Sequence, residues 1–236
     1  MEYQLHPLAD NGIIIDLGTG IQETTMQKIQ TITACLDERS YPWMIEYVPA
    51  FTTITIYYDP LTAIANQPGT LPYDVVLNQI NTLLIKLSNS PLVQPSVISI
   101  PVCYGGDLGP DLPFVALYNG LSTQEVIEIH SKAEYLVYMI GFAPGFPYIG
   151  GMSEKINVPR KNTPRLKIPS GSVGIAGSQT GIYPIETPGG WQLIGRTPLN
   201  LFTPSKKSPS LLQAGDKIKF TPISLNEFTN WEDHKK

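Results

Sequence analysis

RLKIPSGSVGIAGSQTGIYPIETPGGWQLI, residues 165–194, is the stretch on which the fold turns. Short apolar and β-branched pieces at 166–168, 173–176, 181–185 and 192–194 alternate with turns rich in glycine and proline. Strands this short, at this even spacing, predict a closed or nearly closed β-barrel. Pieces at 156–158 and 218–220 extend the pattern, and Ala214-Gly215-Asp216 reads as the turn into a final strand. From residue 141 to the end no helical period of useful length is visible.

Just upstream lies MIGFAPGFPYIGGM, residues 139–152. Gly141, Gly145, Gly150 and Gly151 permit backbone shapes that a Cβ forbids, or let something approach closely. Pro144 and Pro147 fix φ and remove donors, so neither a helix nor a regular strand is expected here. Phe142, Phe146 and Tyr148 make the segment too apolar for an ordinary surface loop. Rings on a stiff, irregular backbone imply a pocket wall or a docking surface.

Further upstream the pattern changes. Residues 12–17 (GIIIDL) read as a buried strand. Met26, Ile29, Ile32 or Thr33, and Leu36 recur at helical spacing, ending near Glu38. Residues 43–48 and 52–58 read as strands joined tightly at Pro49-Ala50. Val76, Leu77, Ile80, Leu83, Leu84 and Leu87 mark a second helix over 73–87, and 97–102 is again β-like. Strand–helix–strand–strand–helix–strand is the order of a ferredoxin-like unit. The last strand could equally open the next domain. A short helix over 114–118 follows, then a second one beginning after Ser122, with Glu125 in capping-box register, and a strand over 135–140.

Composition agrees with a turn-rich fold. Only 15% of the 236 residues are charged, against 42% apolar, and there are 22 prolines and 20 glycines. A net charge of −4 argues against non-specific nucleic-acid binding, which needs a basic footprint. The N-terminus MEYQLHPLAD has no signal-peptide pattern, and no apolar run approaches the roughly 20 residues of a membrane helix. Cys35 and Cys103 form no C-x-x-C. A reduced, cytoplasmic protein is expected.

Motifs for nucleotide or metal chemistry are weak. Asp16-Leu17-Gly18-Thr19-Gly20 reads as a strand-to-helix turn and not as a phosphate loop, and Glu23 occupies the third-glycine place of a dinucleotide fingerprint. Gly171, Gly174 and Gly177 precede a β-run, not a helix. No serine lies in a G-x-S-x-G elbow, and His6, His130 and His234 suit no metal spacing. His130, at a helix end just before the 135–140 strand, reads either as a proton carrier or ligand or as a cation favoured by a helix C-terminus. Cys103 reads as a nucleophile or as a buried small residue. Arg160, Lys161, Arg165 and Lys167 cluster on backbone stiffened by Pro159, Pro164 and Pro169. That arrangement suits capture of a carboxylate or phosphate, or a solvated rim. Trp191 serves as a ligand platform or as packing.

Five runs carry a resemblance across nearly the whole chain. They are EYVPAFTTITIYYDP (46–60), IPVCYGGDLGPDL (100–112), EYLVYMIGFAPGFPYIGGM (134–152), PRKNTPRLKIPSGSVGIAGSQTGIYPIETPGGWQLIGRTPLNLF (159–202) and LLQAGDKIKF (211–220). Together they resemble the 5-oxoprolinase B-subunit family, also described as allophanate hydrolase subunit 1-like, which includes a sporulation-kinase inhibitor of Bacillus. The resemblance implies an α+β protein. A small N-terminal ferredoxin-like α+β domain (1–90) would precede a cyclophilin-like β-barrel domain (91–236). It implies action with subunits C and A to open 5-oxoproline to L-glutamate, with ATP bound at least partly by a partner. The alternatives it implies are inhibition of a sensor histidine kinase, or binding of a small acid or amide in an allophanate hydrolase-like system. Mapping these expectations onto the pocket expected at 139–152 puts His130, as the catalytic residue, and Tyr135 at one edge, with 141–151 as a wall. Tyr135, Phe142, Pro144, Gly145, Phe146, Arg160, Arg165, Gln179, Tyr183 and Trp191 would bind substrate, with Arg160 or Arg165 on a carboxylate and Gln179 and Tyr183 supplying hydrogen bonds.

Overall fold

The structure, a computed structural model, describes residues 2–18, 20, 23–67, 69–88 and 97–233, so Thr19 and His234 lie outside the described residues. The chain divides into two compact units, Met1–Pro95 and Ser96–Lys236. In the first, β1 (Gln4–Leu8), β2 (Gly12–Asp16), α1 (Glu23–Glu38), β3 (Met44–Ala50), β4 (Thr53–Tyr58), α2 (Pro60–Ala63) and α3 (Pro72–Leu87) follow in order. The strands form one antiparallel sheet in the order β1-β2-β4-β3. Ile13, Ile15, Ile54 and Ile56 project into its core with Met26, Ile29, Ile32 and Leu36 of α1 and Val76, Ile80 and Leu84 of α3, all buried.

The ferredoxin-like layout is thus completed from the N-terminus. The edge place beside the first β-strand of the β-α-β series is filled by β1, which has no apolar alternation and is mostly exposed. The 97–102 strand does not join this sheet, because it lies in the second unit. β3 also differs from expectation. Pro49 and Ala50 lie within the strand, and the turn comes at Phe51-Thr52. Proline is tolerated there because β3 is an edge, so one side needs no donor.

The second unit begins with β5 (Val97–Tyr104), followed by α4 (Leu112–Tyr118), α5 (Thr123–Lys132), β6 (Glu134–Ile140), β7 (Pro147–Gly150), β8 (Arg165–Ile168), β9 (Ser172–Ala176), β10 (Gln179–Ile182), β11 (Thr187–Gly189), β12 (Gln192–Arg196), β13 (Lys217–Pro222) and α6 (Leu225–Asp233). Seven strands close into a barrel in the order β10-β7-β6-β13-β5-β12-β9, while β8 and β11 pair outside it. Only β5 and β13 run parallel among these barrel pairings. Its interior is filled by Ile100, Val102, Tyr135, Val137, Ile149, Val173, Ile175, Ile182, Ile194, Ile218 and Phe220.

Three local expectations need correction. Part of 139–152 is a regular strand: β7 starts at Pro147, and a proline is acceptable as a first strand residue. The strand expected over 156–158 is absent: Ile156 ends a 3₁₀ turn (Glu154–Ile156), and Val158 makes an isolated bridge to Gly177. Helix α6 closes the described chain where no helix was expected. Its start is written in the sequence, because Ser224 and Glu227 form the reciprocal bonds of a capping box. The box expected at Ser122 and Glu125 is present on α5.

Candidate functional site

The β6–β7 connection explains its own composition. Gly141 N–H donates to the Phe146 carbonyl (3.0 Å) and Phe146 N–H to the Ala143 carbonyl (2.9 Å), folding the chain back within a few residues. Gly145 adopts φ +78° with its Cα against Phe202 and Leu201, so a Cβ there would sit 2.9 Å from Phe202 Cβ. Phe142 takes φ +67°, a region in which a bulky residue is an outlier. The residue is 66% exposed, and its ring is edge-on to Phe146 at 5.3 Å.

Phe146 is the hub of an aromatic floor. It is buried and meets Tyr148 (5.3 Å), Tyr183 (5.6 Å) and Trp191 (5.8 Å) at steep, edge-to-face angles, the preferred geometry for ring pairs. Gly181 lies against this floor, since a Cβ there would stand 2.9 Å from the Trp191 ring and 3.2 Å from Phe146. Over the floor opens a cleft of about 440 Å³ walled by Phe142, Phe146, Tyr148, Tyr183 and Trp191. Arg160 and Pro164 flank it, and Thr187 to Gly190 complete the rim.

Arg160 is the one charged residue among the described lining residues. Burial pushes the Tyr183 hydroxyl above its usual range. The Trp191 backbone N–H, Arg160 and Arg165 act in the opposite direction. With its oxygen accepting from Trp191, the hydroxyl keeps a proton to donate. Among the described lining residues there is no carboxylate, imidazole or thiol. The cleft can therefore hold a small, flat, anionic ligand, but these residues offer no group to shuttle a proton near neutral pH.

The basic cluster at 160–167 is split by the structure. Arg160 faces the cleft. Arg165 Nη2 (2.8 Å) and Lys161 Nζ (3.3 Å) both turn to Asp111 Oδ1, while Lys167 pairs with Glu186 at 3.3 Å on the surface. Asp111 precedes α4 as its cap residue, yet its carboxylate makes no cap bond. Oδ2 instead accepts from Leu193 N–H of β12 at 2.7 Å. Burial pushes this carboxyl up, but Arg165, Leu193 N–H and Lys161 outweigh it and hold it below the ordinary range. Asp111 was not among the residues expected from sequence; its local signal is an Asp-Leu-Pro at a helix start, which says nothing of partners 50 and 54 positions away.

Of the expected site residues, Phe142, Phe146, Arg160, Tyr183 and Trp191 come together at the cleft. Pro144, Gly145 and Gln179 do not line it, and Arg165 is drawn off to Asp111. His130 and Tyr135 are not at its edge at all. Both lie inside the barrel, 0% and 1% exposed, with His130 stacked on Phe220 at 4.3 Å. Its place inside the barrel, where burial pulls the imidazole down to about 3, corrects the readings of His130 as a proton carrier or ligand at the cleft and as a helix-end cation. Cys103 is likewise buried and its thiol is pushed up, the opposite of an activated nucleophile. Among the described residues no three His, Cys, Asp or Glu side chains gather to hold a metal ion, and no helix is long and apolar enough to cross a membrane.

Known proteins share the sequence and the fold. The model of the carboxyltransferase domain, subdomain C and D, matches residues 3–212. The chain is 46% identical over 99% of its length, and 98% of the relative's, to a protein of Bacillus subtilis named as the B subunit of 5-oxoprolinase. It is 40% identical over 91% of its length to the protein of that name in Escherichia coli O157:H7, covering 94% of it. Among solved structures, TTHA0988 shares 33% identity at a TM-score of 0.76, covering 90% of this chain but 40% of that longer one. A conserved uncharacterized protein of Pyrococcus horikoshii shares 44% identity at a TM-score of 0.55, over 95% of this chain and all of that one. The urea amidolyase of K. lactis, at 18% identity and a TM-score of 0.66, shares the fold over 97% of this chain and 15% of its own. The chain belongs to the carboxyltransferase-domain subdomain C and D family and, within it, to the group of 5-oxoprolinase B subunits.

Proposed function

We propose that this chain is the B subunit of an ATP-dependent complex that opens 5-oxoproline to L-glutamate, working with subunits C and A. The observation that carries the proposal is a cleft furnished for binding and not for proton transfer, in a chain matched over 99% and 91% of its length by relatives named as B subunits. 5-Oxoproline is a small lactam with one carboxylate. Its ring lies on the floor of Phe146 and Trp191, its carboxylate pairs with Arg160, and the Tyr183 hydroxyl donates to an oxygen of the ligand. Holding a flat ring against fixed donors lowers the entropic cost of presenting its carbonyl.

Gly171, Gly174 and Gly177 run before, through and after strand β9 and open no helix, so they make no phosphate loop. In this reading ATP is bound at least partly by the partner subunits. Mixing the purified chain with subunits A and C, ATP and 5-oxoproline is expected to yield glutamate and phosphate. Turnover of equal rate without this chain would remove the proposal.

A further inference from the structure

Arg160 is flanked by residues held unusually firmly. The Pro159 carbonyl accepts from Gln192 Nε2 at 3.0 Å, and Lys161 N–H donates to the Gly190 carbonyl at 2.7 Å. Lys161 Nζ and Arg165 Nη2 then converge on Asp111, whose other oxygen is fixed by Leu193 N–H. Residues 159–165 thus form a strap fastened on both sides of Arg160: directly to Gln192 of β12 and to Gly190, by Arg165 pairing with Gly189 of β11, and through Asp111 at the start of α4 to Leu193 of β12. Two of the fasteners are buried polar side chains: Asp111 is 6% exposed and Gln192 3%. Gln192 Oε1 and Arg165 Nη1 are buried without a hydrogen-bond partner. Stability alone does not favour a buried amide with an orphaned acceptor over a thioether or aliphatic chain of similar volume. The residue is explained by what its other end does, which is to hold Pro159.

We infer that Asp111 and Gln192 are positioning residues, a buried clamp that fixes the strap so that the Arg160 guanidinium stands over the aromatic floor. This rests on the reading of the cleft as the seat of the substrate carboxylate. Neither residue touches the ligand; both act through Arg160. Removing the clamp leaves the guanidinium present but free to wander, and misplacement of a binding group by about 1 Å is enough to cost up to about 10²-fold.

The test uses the reconstituted three-subunit complex and 5-oxoproline, with KM, kcat and thermal melting measured for each variant. R160A is expected to raise KM for 5-oxoproline by about 10- to 100-fold, the loss of one charged hydrogen-bonding partner. Q192M, which removes the strap bond and the orphaned acceptor together, is expected to raise KM several-fold with melting unchanged or higher. D111N is expected to raise KM by about tenfold, and the double variant D111N/R160A to bind no worse than R160A, because residues acting through one group are non-additive. Should D111N melt far below the wild type, Q192M carries the test alone. A Q192M enzyme with wild-type KM, or a double variant whose effects multiply, overturns the clamp while leaving the cleft reading standing. An R160A enzyme with wild-type KM instead removes the cleft reading, and the clamp's function with it.

Discussion

His130 shows how a residue type usually associated with catalysis is taken up by packing. Thr180 donates its hydroxyl proton to the Gly174 carbonyl at 3.1 Å, so its oxygen is left to accept from His130 Nε2–H at 2.9 Å. Nδ1 is then the acceptor for the Tyr104 hydroxyl at 2.7 Å, and the Tyr135 hydroxyl donates to the His130 carbonyl. The tautomer follows from this network. Both ring nitrogens are satisfied in the neutral form, and burial, which penalises the cation, holds the folded-state pKa at about 3. The unfolded chain takes up a proton near pH 6.5, so the stability His130 contributes is complete above that pH. It declines as pH falls from there towards 3, by at most about 1.4 kcal/mol per pH unit. Unfolding by urea at pH 7 and pH 5 should show a loss of about 2 kcal/mol from this residue, and H130Q should remove that part of the slope. Identical pH dependence in the two proteins would show that His130 is not its source.

Among the elements, the β6–β7 turn and the α5 start lend themselves to direct tests. Gly145 combines φ +78° with a backbone face against Phe202, so Gly145→Val should lower the stability of the second unit by about 1–3 kcal/mol, read by thermal melting. Phe142 shares the left-handed region, but its ring is on the cleft rim. Phe142→Gly should therefore leave melting within about 1 kcal/mol of wild type while raising KM for 5-oxoproline. A marked fall in melting with unchanged KM would make the ring a packing residue. At α5, Ser122→Ala removes one arm of the capping box and should cost about 1 kcal/mol. Helices α1, α3 and α5 were legible because an apolar stripe or a cap repeats at a spacing that one helix sets by itself. Strands β1 and β11 were not, because each exists through its partner: β1 lies against β2, and the Thr-Pro-Gly of β11 pairs with β8.

At the scale of the whole molecule, the barrel is closed by strands from the two ends of its unit: β13 lies between β5 and β6 and buries Ile218 and Phe220. Deleting residues 217–236 should leave β5 and β6 without their shared neighbour, and the truncated protein should bind ANS and lose the cooperative unfolding of the barrel. Retention of a sharp thermal transition from the second unit would show that the remaining strands reclose. The first unit manages its open sheet edges with Pro7 and Pro49, which remove donors from β1 and β3 and discourage edge pairing with another chain. What the sequence by itself determined was the class and the kind of site: short strands between Pro/Gly turns mean a barrel, and glycine beside exposed-capable rings means a stiff apolar wall. These readings depend on local φ, ψ preferences and on nearest-neighbour periodicity, which the chain carries in any context. Only the tertiary structure decided which polar groups face the wall. Arg160 and Arg165 are equivalent in sequence, yet one looks into the cleft and the other is claimed by a carboxylate 54 positions away. His130 went inside because Tyr104, Thr180 and Phe220, distant in sequence, offer it two hydrogen bonds and a ring. Hydrogen-bond satisfaction and desolvation are properties of assembled surroundings, and no spacing rule along the chain encodes them.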